Sequence, residues 1–240
     1  MNSSAVIGSK TVTAVSKQLH QLADPDYAHR TTRFFKTGPG EYAEHDRFLG
    51  IRVPQLRALA REHRDRLSIN ECCALLQSEW HEFRLFALLA MVELFQRGDE
   101  KQKKTVVTRY FKHKRHVNNW DLVDASAYKI PGPWYFDKDR TPLHRMIQSK
   151  SLWNRRIPVL STFYYIRQND LDDTFLYAEQ LLSDPEDLIH KATGWMLREA
   201  GKRDQTRLIN FLEAHHKQMP RTMFSYATEK LPRATRAAFV

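Results

Sequence analysis

The chain has 240 residues, enough to bury a large core without help from disulfides or metals. Its 38 lysines and arginines outweigh 28 acids for a net charge of +10, which makes a polyanion a natural partner without selecting nucleic acid over an acidic protein. The two cysteines are the neighbours Cys72 and Cys73, no apolar run reaches the roughly 20 residues of a membrane span, and the N-terminal MNSSAVIGSKTV lacks a signal-peptide core, so the expectation is a cytoplasmic chain with no disulfide framework and no membrane partner.

Eight glycines and ten prolines punctuate the sequence sparsely, and apolar residues recur at spacings of three and four. The spacing predicts helices at about 10–22, 25–37, 53–64, 69–78, 81–97, 100–112, 117–128, 140–150, 152–168, 171–182, 186–201, 204–216 and 219–230, and no hairpin. Gly38-Pro39-Gly40 breaks one early helix and Ile130-Pro131-Gly132-Pro133 ends another. The helical pattern resumes after both, so a single domain over 1–240 is expected, with 1–33 as an N-terminal helical cap.

Arg84, Trp120, Arg156 and Lys191 are 36, 36 and 35 residues apart, and Arg221 follows after 30. A period of this size, with two helices in each, is that of an α-solenoid of HEAT-like repeats whose second helices line one concave, here basic, surface. An irregular helical bundle is the alternative that spacing alone leaves open.

Trp120 and Asp124 are four apart and share a helix face, while Leu122 and Val123 turn toward the core. Packing and capping are the ordinary roles of such residues, and Asp121 is a competing acid that would cap its own helix or bond a neighbouring repeat. Lys191, Trp195 and Arg198 form an i, i+4, i+7 stripe, placing cations on either side of an indole. Cations interleaved with aromatics suit a nucleic-acid groove, although solvated charges around one core tryptophan fit as well. His113 and His116 offer only two metal ligands in a basic turn, so no metal site is expected.

The segments NNWDLVD, LWNRRIPVLSTFYYI, HKATGWMLREAGKRD and MPRTMFSYATEKLP closely resemble the AlkD-like DNA alkylation-repair glycosylases, over roughly Phe34 to Leu231. That resemblance implies a superhelix of HEAT-like repeats and excision of positively charged N3- and N7-alkylpurines from duplex DNA without base flipping. It puts Asp124 on the family's catalytic aspartate, Trp120 and Trp195 on the tryptophans flanking the lesion's sugar, and Arg156 on the arginine holding the nearby phosphate. Phe48-Leu49-Gly50-Ile51-Arg52-Val53-Pro54 resembles the stretch opening the first DNA-facing repeat, with Arg52 at a DNA-contacting position and Pro54 suited to a helix's first turn.

Arg84, Arg155, Lys191, Arg198, Lys202, Arg203, Arg221 and Lys230 are expected to bind phosphates without reading sequence. The implied protein is a monomeric, monofunctional glycosylase of base excision repair that needs no cofactor. Three departures qualify the resemblance. Phe34 or Phe35 stands where the best-known branch has a tyrosine, the 130–135 segment is unusually long and aromatic, and some branches bind branched or distorted DNA without excising bases.

Overall fold

The computed structural model describes residues 9–44 and 46–239. In chain order the helices are α1 (Lys10–Gln21), α2 (Pro25–Phe35), α3 (Val53–Glu62), α4 (Ile69–Leu75), α5 (His81–Arg97), α6 (Glu100–Lys112), α7 (Trp120–Ser126), α8 (Pro131–Tyr135), α9 (Thr141–Met146), α10 (Leu152–Arg167), α11 (Asp172–Gln180), α12 (Asp187–Gly201), α13 (Gln205–His215), α14 (Arg221–Ala227) and α15 (Arg233–Ala237), with 3-10 turns at Lys114–His116 and Ala127–Lys129. No strand occurs among the described residues, only an isolated bridge between Arg47 and Trp80. The protein is all-α, as the apolar spacing requires, and no helix among the described residues is long and apolar enough to cross a membrane.

Helix starts follow from capping side chains. Ser9, Asp24, Ser68, Asp99, Ser151 and Asp204 each accept a backbone N–H from the first turn of α1, α2, α4, α6, α10 and α13. Two short helices, α8 and α15, were not expected from sequence. Pro131 does end the preceding helical stretch, but it also occupies the first turn of α8, where its missing N–H leaves no hydrogen bond unmade. The helix expected over 117–128 begins only at Trp120 and passes into a 3-10 turn at Ala127.

Two compact units divide the chain, Met1–Ser126 and Ala127–Val240. In the first, α5 packs against α3, α4, α6 and α7, and it is apolar around nearly its whole circumference because it is enclosed on most sides. In the second, α10 packs on α8 and α12, and α12 packs on α11, α13 and α14. Each unit therefore contains a succession of stacked helices, α3–α5–α7 and α10–α12–α14, with intervening helices on their flanks. The five residues whose spacing suggested a repeat all lie on these stacked helices, at Arg84 in α5, Trp120 in α7, Arg156 in α10, Lys191 in α12 and Arg221 in α14.

Both units use one anchoring device. Arg84 donates through Nη1 to the carbonyls six and five residues before it, Ser78 (3.0 Å) and Glu79 (3.2 Å), and pairs through Nη2 with Asp46 at 2.5 Å. Arg155 donates through Nη1 to the carbonyls six and five residues before it, Ser149 (2.8 Å) and Lys150 (3.1 Å), and grips Asp184 with Nε and Nη2 at 2.6 and 3.1 Å. Each arginine thus ties the turn entering its helix to a carboxylate on a neighbouring segment.

Candidate functional site

The first unit carries Trp120 and Asp124. Asn119, fully buried, accepts the Trp120 N–H through Oδ1 at 2.8 Å and donates through Nδ2 to Asp46 at 3.0 Å, which fixes where α7 starts. Leu122 and Val123 are fully buried, so Trp120 and Asp124 fall on the other flank, half-buried and one helical turn apart. The Trp120 indole stacks on Phe35 of α2, with centroids 5.2 Å apart and planes 16° from parallel. Asp124 lies near Tyr110 of α6, whose hydroxyl is 3.1 Å from Ser126 Oγ. Burial, followed by the Asp124 charge, holds that phenol's pKa above its usual value.

Asp121 bonds a neighbouring element. Its carboxylate lies 2.7 Å from Nε2 of His81, the first residue of α5, while His81 Nδ1 lies 3.3 Å from Asp46. Burial opposes the imidazolium, but the Asp121 charge and hydrogen bonds to Asp121 and Asp46 outweigh it and raise the His81 pKa to about 9. Burial likewise tends to raise the Asp46 pKa, yet the bond to His81, the Arg84 charge and the bond from Asn119 hold it below the usual carboxylate range.

The second unit carries Arg156 and Trp195. Arg156 is only 4% exposed and donates through Nη1 to the Leu188 carbonyl in the first turn of α12. Trp195 is half-buried and packs against Phe163 of α10 at 5.8 Å, and Phe163 meets Tyr128 edge-on at 5.4 Å. The residue before the indole must be glycine. A Cβ on Gly194 would lie 2.5 Å from the Met223 carbonyl oxygen and 2.7 Å from the Tyr226 Cβ, so the missing side chain lets α12 and α14 touch.

The expected phosphate-binding residues separate into two groups. Arg84 and Arg155, like Arg156, are buried, at 4% and 8% exposed, with their guanidiniums engaged internally. Arg52, Lys202, Arg203, Arg221 and Lys230 are exposed, and Lys191 and Arg198 are half-buried. Several are paired with acids: Lys191 with Asp187 (2.8 Å), Lys202 with Glu199 (2.7 Å), Lys230 with Glu229 (2.9 Å), and Arg198 with both Glu199 and Glu229. Lys202 and Arg203 border two open clefts of ≈ 330 and ≈ 300 Å³, one completed by Phe163, Ile166, Arg167 and Glu199, the other reaching Arg198 and Lys230. Arg52 lies over the Tyr27 ring at 5.1 Å, and Pro54 sits in the first turn of α3 as its sequence position suggests.

Sequence reasoning passed over Glu82 and His81. Buried Glu82 accepts the N–H groups of Leu49 (2.9 Å), Gly50 (2.7 Å) and Ile51 (3.3 Å), fixing the loop that presents Arg52. Gly50 has φ +80°, and a Cβ there would lie 2.0 Å from the Asp24 carbonyl oxygen. Of the aromatic pair near the start, Phe35 is the one stacked on Trp120, whereas Phe34 is 76% exposed. Among the described residues no group of three or more His, Cys, Asp or Glu side chains is arranged to hold a metal ion. The His113 and His116 rings lie 6.5 Å apart, with both pKa values lowered by burial and neighbouring cations.

The fold is similar to a solved structure described as a predicted DNA alkylation repair enzyme from Enterococcus faecalis. The two share 18% sequence identity with a TM-score of 0.67, over 88% of this chain and 97% of that one. No curated protein shows significant similarity. The family model described as DNA alkylation repair enzyme matches residues 15–231, so its reach begins in α1, upstream of the motifs that carry the resemblance. The chain belongs to the DNA alkylation repair enzyme family.

Proposed function

We propose that this chain is a monofunctional DNA glycosylase that hydrolyses the N-glycosidic bond of N3- and N7-alkylated purines in duplex DNA without base flipping. The observation that carries this reading is the pairing of Trp120 and Asp124 one turn apart on α7 in a chain of this family. Alkylation at N3 or N7 places a formal positive charge on the base, which then departs neutral and needs little protonation. Positive charge instead develops on the deoxyribose, as an oxocarbenium-like transition state.

Asp124, ionised, stabilises that cation and orients the attacking water, an electrostatic contribution that grows as bulk water is excluded. The indole faces of Trp120 and Trp195 add about 0.5–2 kcal/mol of cation–π attraction each. Arg156 positions the strand and, through its bond to the Leu188 carbonyl, the helix bearing Lys191 and Trp195. Arg52, Lys191, Arg198, Lys202, Arg203 and Arg221 supply sequence-independent phosphate contacts, so affinity falls steeply with salt. The protein acts as a monomer in the cytoplasm, and the chemistry calls for neither metal nor cofactor.

The test is base release from methylated genomic DNA, separated by chromatography. Liberation of 7-methylguanine or 3-methyladenine by the wild type supports the proposal. Binding to branched DNA with no base released after long incubation would refute it in favour of a non-catalytic binder of DNA structure.

A further inference from the structure

His81 is buried at the start of α5 with a carboxylate oxygen at each ring nitrogen, Asp46 at 3.3 Å from Nδ1 and Asp121 at 2.7 Å from Nε2. A neutral imidazole has one N–H and satisfies only one of these acceptors, whereas an imidazolium satisfies both. Its ring is also packed, against Phe48 at 4.7 Å (26°) and Phe35 at 4.8 Å (46°), and Phe35 stacks in turn on Trp120. His81 therefore reaches Trp120 by two routes, through the side chain of the adjacent Asp121 and through the Phe35 ring. The chemistry assigned to Asp124 and the tryptophans uses none of His81, Asp46 or Asp121.

We infer that His81, as an imidazolium held between Asp46 and Asp121, is a positioning residue that sets the pose of Trp120 and, one turn on, of Asp124. The charged groups around the ring are Asp46 from the loop after α2, Arg84 on its own helix and Asp121 on α7; the two acids favour the proton and Arg84 opposes it. The elevated His81 pKa agrees with this arrangement. Loss of the proton removes one of the two hydrogen bonds and the charge held against the Phe35 and Phe48 rings, and α7 shifts relative to α5. The catalytic consequence rests on the glycosylase reading, but the clamp itself does not.

The experiment uses full-length protein labelled with 5-fluorotryptophan and followed by fluorine NMR, with the Trp120 resonance assigned by Trp120→Phe. In the wild type this resonance moves with a midpoint near pH 9, reporting His81. In Asp121→Asn, which keeps the shape but not the charge, the midpoint falls toward the ordinary histidine value of about 6.5. In His81→Gln the resonance takes the high-pH position at every pH, while the Trp195 signal is unmoved in all variants. If His81→Gln does not fold, the Asp121→Asn midpoint decides alone. A Trp120 resonance indifferent to pH and to Asp121→Asn overturns the inference.

Single-turnover excision by His81→Gln is expected to slow by about tenfold to a hundredfold, the scale of a misplaced reacting group, with DNA affinity unchanged. A responsive Trp120 signal in a protein that excises nothing would leave the clamp standing and remove the glycosylase reading. An indifferent signal in an active enzyme would do the reverse.

Discussion

Gly194→Ala places a methyl group where α12 meets α14. Its carbon would sit 2.5 Å from the Met223 carbonyl oxygen, 3.2 Å from the Met223 carbonyl carbon and 2.7 Å from the Tyr226 Cβ. Two of these are backbone atoms, so no side-chain rotation relieves the contact and the helices must separate by roughly 1 Å to reach ordinary packing distance. Overpacking of this kind costs about 1–3 kcal/mol, and contact with backbone argues for the upper end. Replacing glycine inside a helix returns about 1 kcal/mol. The net loss is about 2 kcal/mol, or about 4–8 °C in Tm for a chain of this length. Thermal unfolding followed by circular dichroism reads it, with Gly38→Ala as the control, because a Cβ there meets only the outer part of the Glu41 side chain, which can move. A Gly194→Ala protein as stable as Gly38→Ala would refute the argument that α12 and α14 are held together by the absent side chain.

Arg203→Ala should reduce the slope of log affinity against log salt by about 0.9, one phosphate contact, in a filter-binding titration. Arg155→Ala should leave that slope alone and lower unfolding stability by about 3–5 kcal/mol, since it strands the buried Asp184 carboxylate. Glu82→Gln gives up the charge that accepts three backbone N–H groups, and denaturant unfolding is expected to show a loss of about 2–3 kcal/mol. The folded protein favours the His81 proton, so that contribution to stability is complete below about pH 6.5 and disappears as the pH rises through about 9. The Tm advantage of wild type over His81→Gln should shrink across that window, and a constant gap would contradict it.

Helix positions were legible because apolar residues recur at helical spacing over long segments, and the Trp120–Asp124 register follows from a separation of four residues. The short α8 was not legible, because the same Pro131-Gly132-Pro133 that ends one helix also suits the first turn of another. The internal bonds of Arg84 and Arg155 were not legible, because a cation on a helix ordinarily marks a solvated face. Their partners Asp46 and Asp184, and the carbonyls they hold, lie outside the helices, where no periodicity points to them. Asp121 was recognised as a competing acid, but its partner His81 is 40 residues away, and only the packing of α5 on α7 brings them together. Glu82 was passed over because nothing in the sequence links a carboxylate on α5 to the backbone N–H groups of residues 49–51, 31 to 33 positions earlier.

The catalytic role of Asp124 is tested most directly by single-turnover release of 3-methyladenine from duplex DNA, comparing the wild type with Asp124→Asn. Loss of a charge aimed at the developing sugar cation should slow release by at least about a hundredfold, with duplex affinity and Tm nearly unchanged. Release by Asp124→Asn at the wild-type rate would contradict the account.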